Sequence, residues 1–317
     1  MAVVLRVDRA SWWRHVADTF TAYDGAITAV VKGNGYGFGR SLLTESAAAV
    51  GARSIAVGTV YELPGTEAFD GDVLALTPSL DALSGLAPNV VSTVGSTAQL
   101  DHLRRSGHDG RLGIKLRSSM QRYGFAPGEV PEVAALRPMS AHVYMIHLPL
   151  SGTMNDHCDE IEAWLPQLDP SIEISVSHLD PPAFADLRRR HPERSFSIRL
   201  GTALWLGDRS SFRLFADVLD RRTVHQGDRV GYRATAIAED GTIVLVGAGS
   251  ANGVAPVDNG LSPFHFARTR LGLIEPPHMH TSMIFIPATS VVPDVGAWVD
   301  LQRPMTMTHV DRIEWID

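Results

Sequence analysis

Lysine is almost missing from this chain. Of its 28 basic residues, Lys32 and Lys115 are the only lysines and the other 26 are arginine. Arginine serves wherever a positive charge merely has to sit on a surface. A retained lysine therefore points to work a guanidinium cannot do: attacking a carbonyl to form an imine, or being modified as an amine, both of which need a nitrogen that can lose its proton. Cysteine is scarcer still. The single Cys158 excludes an intramolecular disulfide and a cysteine-based zinc cluster, and between His157 and Asp159 it reads as a loop or helix-start thiol rather than a nucleophile. Long apolar runs are absent, and Met1-Ala2-Val3-Val4-Leu5-Arg6 carries neither a charged leader with an apolar core nor a cleavage site, so a cytoplasmic chain with no membrane partner is expected. A net charge of −7 without a basic, aromatic-interleaved cluster argues against nucleic acid as a partner.

What is present is enough apolar residue, 44% of 317, for one large domain and a smaller one. After a short strand at 3–8 and a helix opening at Ser11-Trp12-Trp13, strand-like runs recur at Ala26–Val31, Ile55–Gly58, Val73–Leu76, Val90–Thr93, Leu112–Leu116, Ala141–His147, Ile172–His178 and Phe196–Leu200. Helix-like stretches such as Leu42–Val50, Ser96–Ser106 and Pro182–His191 separate them. The alternation predicts an α/β fold, a (β/α)8 barrel with catalytic groups at the C-terminal strand ends. Beyond residue 222 the texture changes to short strands at Asp228–Ala238, Thr242–Gly247, Met283–Pro287 and Ala297–Gln302, joined by Gly, Pro and Asp turns. A mostly β C-terminal domain is expected over 221–317, after a barrel over 9–220.

The stretch Ala29-Val30-Val31-Lys32-Gly33-Asn34-Gly35-Tyr36-Gly37-Phe38-Gly39 puts a lysine at a strand end and glycines directly after it. It resembles the cofactor-lysine motif of the alanine racemase family, AVVKANAYGHG, with two alanines replaced by glycine and the histidine by Phe38. The resemblance implies a fold-type III pyridoxal-phosphate enzyme in which Lys32 carries the cofactor as an imine and the Tyr36 hydroxyl contacts its phosphate. It also implies that the first strand joins the β domain.

Two further stretches extend the likeness. Lys115-Leu116-Arg117-Ser118-Ser119-Met120-Gln121-Arg122-Tyr123-Gly124-Phe125 is similar to KxDTGMxRxGF, with Arg117-Ser118-Ser119 in place of Asp-Thr-Gly. In that family the lysine is carbamylated and orients the arginine, which bonds the cofactor's phenolic oxygen; here these are Lys115 and Arg122. Ile198-Arg199-Leu200-Gly201-Thr202-Ala203-Leu204-Trp205 resembles VRPGIALYG. By that likeness Arg199 faces the pyridine nitrogen and leaves the ring neutral, which favours proton removal and return. The Gly201 and Thr202 amides then cradle the phosphate, and His147 is the histidine near the ring. Ser175, Ser177 and His178 remain open as phosphate ligands from the seventh strand.

The likeness breaks in the β domain. The family's second base is a tyrosine in GYADG, supplied across a dimer interface, and the stretch here is Gly249-Ser250-Ala251-Asn252-Gly253. Beyond the barrel the sole tyrosine is Tyr232, at a different, strand-interior position. An unassisted serine hydroxyl is too weak a base near neutral pH. In Glu275-Pro276-Pro277-His278-Met279-His280-Thr281, similar to the family's CMDQ, His280 replaces an aspartate and is a candidate opposite-face base. His278 and His280, two apart, are alternatively a turn pair or metal ligands like those of the D-threonine aldolase and D-serine dehydratase branch. His265, in Pro263-Phe264-His265-Phe266, is a further candidate that reads better as a packing residue. The sequence thus predicts a homodimeric, pyridoxal-phosphate-dependent amino-acid racemase or epimerase with shared active sites, acting on a small-molecule amino-acid substrate through Lys32 and a non-tyrosine partner among Ser250 and His280. A metal-assisted lyase and a cofactor-binding relative with little turnover are the alternatives.

Overall fold

The computed structural model describes residues 2–80, 85–257 and 260–317. They form two compact units. The chain opens with β1 (Val3–Asp8) and α1 (Arg9–Ala22).

One unit comprises His15–Gly35 and Gly39–Gly207. Its strands are β2 (Ile27–Val30), β3 (Ser54–Val57), β4 (Asp72–Ala75), β5 (Val90–Val94), β6 (Arg111–Lys115), β7 (Ser140–Met145), β8 (Glu173–Val176) and β9 (Phe196–Leu200). Each pairs in parallel with the next and β9 closes on β2, making an eight-stranded barrel. Every residue of β2, β5 and β9 is buried, including the polar Thr28, Ser92, Thr93, Ser197 and Arg199, as befits parallel strands covered on both faces. All eight strands lie where the sequence places them, to within two residues at their starts.

The crossovers are less regular than the barrel. Helices α2 (Arg40–Ala49), α3 (Thr97–Arg105), α4 (Met154–Trp164), α5 (Pro181–Arg190) and the short α6 (Thr202–Leu206) are joined by single 3-10 turns at Val60–Glu62 and Val133–Leu136. Side chains start three of them: Ser96 accepts from the Gln99 amide, Asp180 from that of Ala183, and Thr153 with Asp156 forms a reciprocal cap on α4. At the N-terminal strand ends the barrel is polar. Thr28 and Ser54 hydroxyls lie 2.8 Å apart, Arg111 donates to Asp72 at 2.5 Å, and Ser197 donates to Glu173 at 2.5 Å. That leaves the opposite, C-terminal mouth for chemistry.

The other unit comprises the N-terminal stretch to Arg14, Tyr36–Phe38 and Asp208–Asp317. Its spine is the 13-residue β10 (Phe212–Val224). The remaining strands are β11 (Arg229–Val230), β12 (Thr235–Ala236), β13 (Gly241–Val246), β14 (Phe264–Phe266), β15 (Thr269–Arg270), β16 (Gly272–Leu273), β17 (Ser282–Pro287), β18 (Trp298–Leu301) and β19 (Arg312–Ile316). β10 pairs with β1, β13 and β18, and β1 adds β19 in parallel. One core cluster gathers Val224, Val230, Ile237, Ile243 and Met283. A second is aromatic: Trp12 lies 5.1 Å from Phe38 and 5.6 Å from Trp315, ring centre to ring centre. Phe38 fills a packing role there, which accounts for its standing where the family has histidine.

One expectation needs correction. Asp228–Ala238 is not a single strand but the hairpin β11–β12, turned by Gly231 and Ala234 at φ 73° and 47°. Tyr232, expected inside a strand, sits on that turn and is 89% exposed. No helix among the described residues is long and apolar enough to cross a membrane.

Candidate active site

Lys32 follows β2 directly, at the C-terminal end of the barrel. The loop after it is fixed by its own hydrogen bonds: Gly35 donates to the Lys32 carbonyl at 3.2 Å, Gly39 to that of Asn34 at 3.1 Å, and Arg40 reaches back to the Gly33 carbonyl at 2.7 Å. Glu62 accepts from the amides of both Gly33 and Gly58, at 2.9 and 2.8 Å. Gly37 has φ 89°, and a β-carbon there would collide with Met305. Tyr36, buried and itself at φ 53°, has its hydroxyl pushed up to about 12 by burial, so it stays protonated and able to donate.

Lys115 ends β6 and is 8% exposed. Burial, then Arg199, Arg122 and Lys32, lower its amine to about 6. A lysine in that state is largely neutral at pH 7 and therefore nucleophilic. The neighbouring small cavity is lined by Lys115, Leu116, Ser118, Met120, Arg122, Tyr123 and His147. The Arg122 guanidinium lies 5.2 Å from the Tyr123 ring centre, and the Tyr123 hydroxyl donates to the Leu76 carbonyl at 3.1 Å.

The unusual Arg117-Ser118-Ser119 loop is held by contacts of its own. Ser118 donates to the His147 carbonyl at 2.5 Å, and Ser119 reaches Glu160 through both its amide and its hydroxyl, at 2.6 and 2.7 Å. The chain then returns through Phe125, whose amide donates to the Lys115 carbonyl at 2.8 Å. Sequence reading missed Ser118, Tyr123 and Glu160; the two serines standing where the family has Thr-Gly were the available signal.

Arg199, near the end of β9, is buried. Its two terminal nitrogens donate to the Ser175 carbonyl at 2.6 Å and the Ile146 carbonyl at 2.5 Å, and burial lowers its pKa to about 10. His147, two residues past β7, is held down to about 3, by burial first and then by Arg199, Lys115, His178 and Lys32. The ring of His178 lies 5.0 Å away in an edge-to-face arrangement. Of the three seventh-strand candidates, Ser177 accepts from the Leu148 amide at 3.1 Å, and Ser175 is fully buried with its hydroxyl unpartnered. His178 takes a left-handed φ of 61° at the strand end, where burial, His157, Arg199 and Lys32 lower its pKa. Gly201 and Thr202 start the short α6, whose first amides have no acceptor inside the helix.

The charges acting on Lys115 and His147 are thus all cationic or imidazole, with no carboxylate among them. Arg199 is a buried cation, and one without a counter-ion is costly, whereas Lys32 and Arg122 are exposed. A barrel mouth built this way fits a ligand that brings its own negative charge.

The β-unit candidates lie apart from this set in the chain but close to one another. Ser250, exposed on a 3-10 turn, donates its amide to the His278 carbonyl at 2.8 Å, and Ala251 likewise to Met279 at 2.8 Å. His280 is exposed. His265 lies on β14 opposite Arg270 and Asp300, with Nδ1 buried and unpartnered. No group of three or more His, Cys, Asp or Glu side chains among the described residues is placed to hold a metal ion.

A family model described as the alanine racemase N-terminal domain matches residues 10–206. Alanine racemase of Mycobacterium tuberculosis is 27% identical over 262 residues, covering 72% of this chain and 67% of that protein. The chain thus spans about two thirds of the length of that relative. Among solved structures, alanine racemase from Bartonella henselae with covalently bound pyridoxal phosphate superposes with a TM-score of 0.74 at 15% identity, over 100% of both chains. Histidine racemase from Leuconostoc mesenteroides gives 0.69 at 17% identity, over 100% of this chain and 98% of that one. The barrel with its glycine-framed lysine, the β unit and the matched profile lead to one assignment: this chain belongs to the alanine racemase family.

Proposed function

We propose that the protein is a pyridoxal-phosphate-dependent amino-acid racemase, with alanine the first substrate to try. The observation that carries this reading is the cationic barrel mouth, where Lys32, Arg122 and Arg199 act on Lys115 or His147 and no carboxylate is among the charges that do so. The phosphate and phenolate of that cofactor bring the missing negative charge. Lys32 is the residue to which it would be attached, Arg122 the partner of its phenolic oxygen and Arg199 the partner of its ring nitrogen. Tyr36 and the amides of Gly201 and Thr202 would hold the phosphate. Bound there, the cofactor supplies an electron sink that makes the Cα proton removable.

The remaining steps belong to the chain's own groups. Lys32 takes and returns the proton on one face of Cα. Arg199, fixed by two carbonyls, keeps its own proton and so leaves the ring neutral. Lys115, with its amine near 6, can take up carbon dioxide and become an anion that pairs with Arg122. His147 stays neutral and serves as a packing and hydrogen-bonding neighbour rather than an acid. The proton for the other face has to come from the β unit, as in a homodimer whose subunits complete each other's sites. Ser250 and His280 are the two groups that the family likeness nominates.

The test is proton exchange read together with stereochemistry. Purified protein loaded with pyridoxal phosphate is offered L- and D-amino acids in heavy water. α-Deuterium incorporation with inversion is expected, first with alanine. Exchange with retention, or none with any substrate, would refute the racemase reading and leave a cofactor-binding relative with little turnover. A metal-assisted lyase gains no support from the placement of His278 and His280, which join no group of three or more metal-ligating side chains among the described residues.

A further inference from the structure

Glu275 is buried, with its side chain only 3% exposed, at the edge of a β unit that has ample solvent for its acids. Both its oxygens are occupied. One accepts from the Tyr232 amide at 3.0 Å and from His278 Nε2 at 2.6 Å; the other accepts from the Arg233 amide at 3.1 Å. Burial pushes this carboxyl up, but the bonds from His278 and the two amides outweigh it and hold Glu275 below the usual glutamate range. Room for the carboxylate depends on Gly231, at φ 73°, where any β-carbon would strike it.

An ionised carboxylate only accepts, so Nε2 of His278 carries the hydrogen. Its Nδ1 is then the basic atom, and it has no hydrogen-bond partner among the described residues. The Tyr232 ring stands 4.6 Å from the imidazole. A histidine kept only for packing needs no buried carboxylate behind it. A base with one nitrogen fixed by a carboxylate and the other free is the arrangement that proton transfer requires. By contrast, among the described residues Ser250 has no base within hydrogen-bond reach, and the exposed His280 has no orienting group. The Ser250 amide donates to the His278 carbonyl, and that of Ala251 to the Met279 carbonyl next to His280, so the three residues share one patch.

We propose that His278, held in place by Glu275, transfers the proton on the face of Cα opposite Lys32. The inference rests on the racemase reading and its shared site. In one direction Lys32 removes the Cα proton, the electron pair stays on carbon, and the Nδ1 proton of the imidazolium forms the new C–H bond on the other face. The reverse direction exchanges the roles, and solvent resets both groups, so no oxidant or second substrate is needed. Glu275 is a positioning residue.

The experiment uses the cofactor-loaded full chain in heavy water with L- and D-alanine, following deuterium incorporation and enantiomer ratio. Wild type exchanges with inversion. H278Q loses inversion by at least about 100-fold but retains exchange on the Lys32 face for one enantiomer, which also shows that the variant is folded and loaded. E275Q lowers the kcat of inversion at least about tenfold with KM unchanged, whereas a purely structural glutamate would lower cofactor occupancy and exchange together. Wild-type inversion in H278Q overturns the proposal, as does loss of inversion in Y232F with H278Q unaffected, which would give the role to the phenol. If wild type itself exchanges nothing, the racemase reading fails and the proposal with it, a result distinct from an active wild type and an equally active H278Q.

Discussion

At the residue scale, the scarcity of lysine was the most informative signal, because composition alone separated Lys32 and Lys115 from 26 arginines. The structure adds what Lys115 can do that another arginine could not: at 8% exposure among Arg199, Arg122 and Lys32 its amine can shed its charge, whereas a guanidinium such as the equally buried Arg199 keeps it. The consequence is measurable as pH-dependent stability. In the folded chain Lys115 releases its proton at about 6, whereas the unfolded chain holds it to the ordinary lysine value of 10.5. Between those limits the unfolded state binds more protons, so stability rises with pH. Replacing Lys115 by Met removes this contribution. In cofactor-free, carbonate-free buffer, denaturant unfolding of wild type and K115M should therefore diverge, with wild type gaining on the variant as pH goes from 6 toward 10. Parallel profiles would mean the amine keeps its charge inside the barrel. The residues that sequence missed, such as Glu275 and Ser118, act through contacts between segments far apart in the chain, 43 residues apart for Glu275 and the Tyr232 amide. No local pattern encodes that.

At the element scale, the barrel strands were legible because buried parallel strands are mostly apolar, and a run of Ile, Val, Leu and Ala needs no neighbour to declare itself. The elements that escaped are the half-buried ones. β10 alternates buried and partly exposed positions and then runs into Asp-Arg-Arg-Thr, so it read as a boundary, although its 13 residues organise the β sheet. α4 is acidic and was passed over, although Thr153 and Asp156 cap it reciprocally. The loop after β6 was legible in its conserved-looking ends and opaque in its middle. Gly124 is the hinge of that loop, at φ 149°, where a β-carbon would press on the backbone of Leu116 and Arg117. Gly124→Ala should cost about 1–3 kcal/mol of stability through enforced strain, read as a lower urea midpoint. Because the same loop carries Arg122, cofactor affinity should fall as well. Unchanged affinity in a destabilised G124A would show that Arg122 is placed independently of this turn.

At the scale of the whole molecule, the two units divide the chemistry unequally. The barrel concentrates Lys32, Lys115, Arg122 and Arg199, and its His147, held to about 3, is too weak a base to share proton transfer near neutrality. The β unit carries a carboxylate-fixed imidazole but no lysine. On the proposed racemase reading, neither unit is expected to invert Cα alone, and the proposed homodimer with shared sites would resolve the division. Subunit mixing tests it directly. K32A loses the barrel function and H278Q the β-unit function, so each homodimer is inactive in inversion. After co-refolding at equal amounts, half the dimers are mixed, and each mixed dimer holds one site with both residues intact if the site is shared. About a quarter of wild-type inversion should return, and cross-linking the mixed dimer should preserve it. If the mixture stays inactive while mixed dimers are shown to form, each subunit must build its site from its own two units, and the division of labour would be internal to one chain.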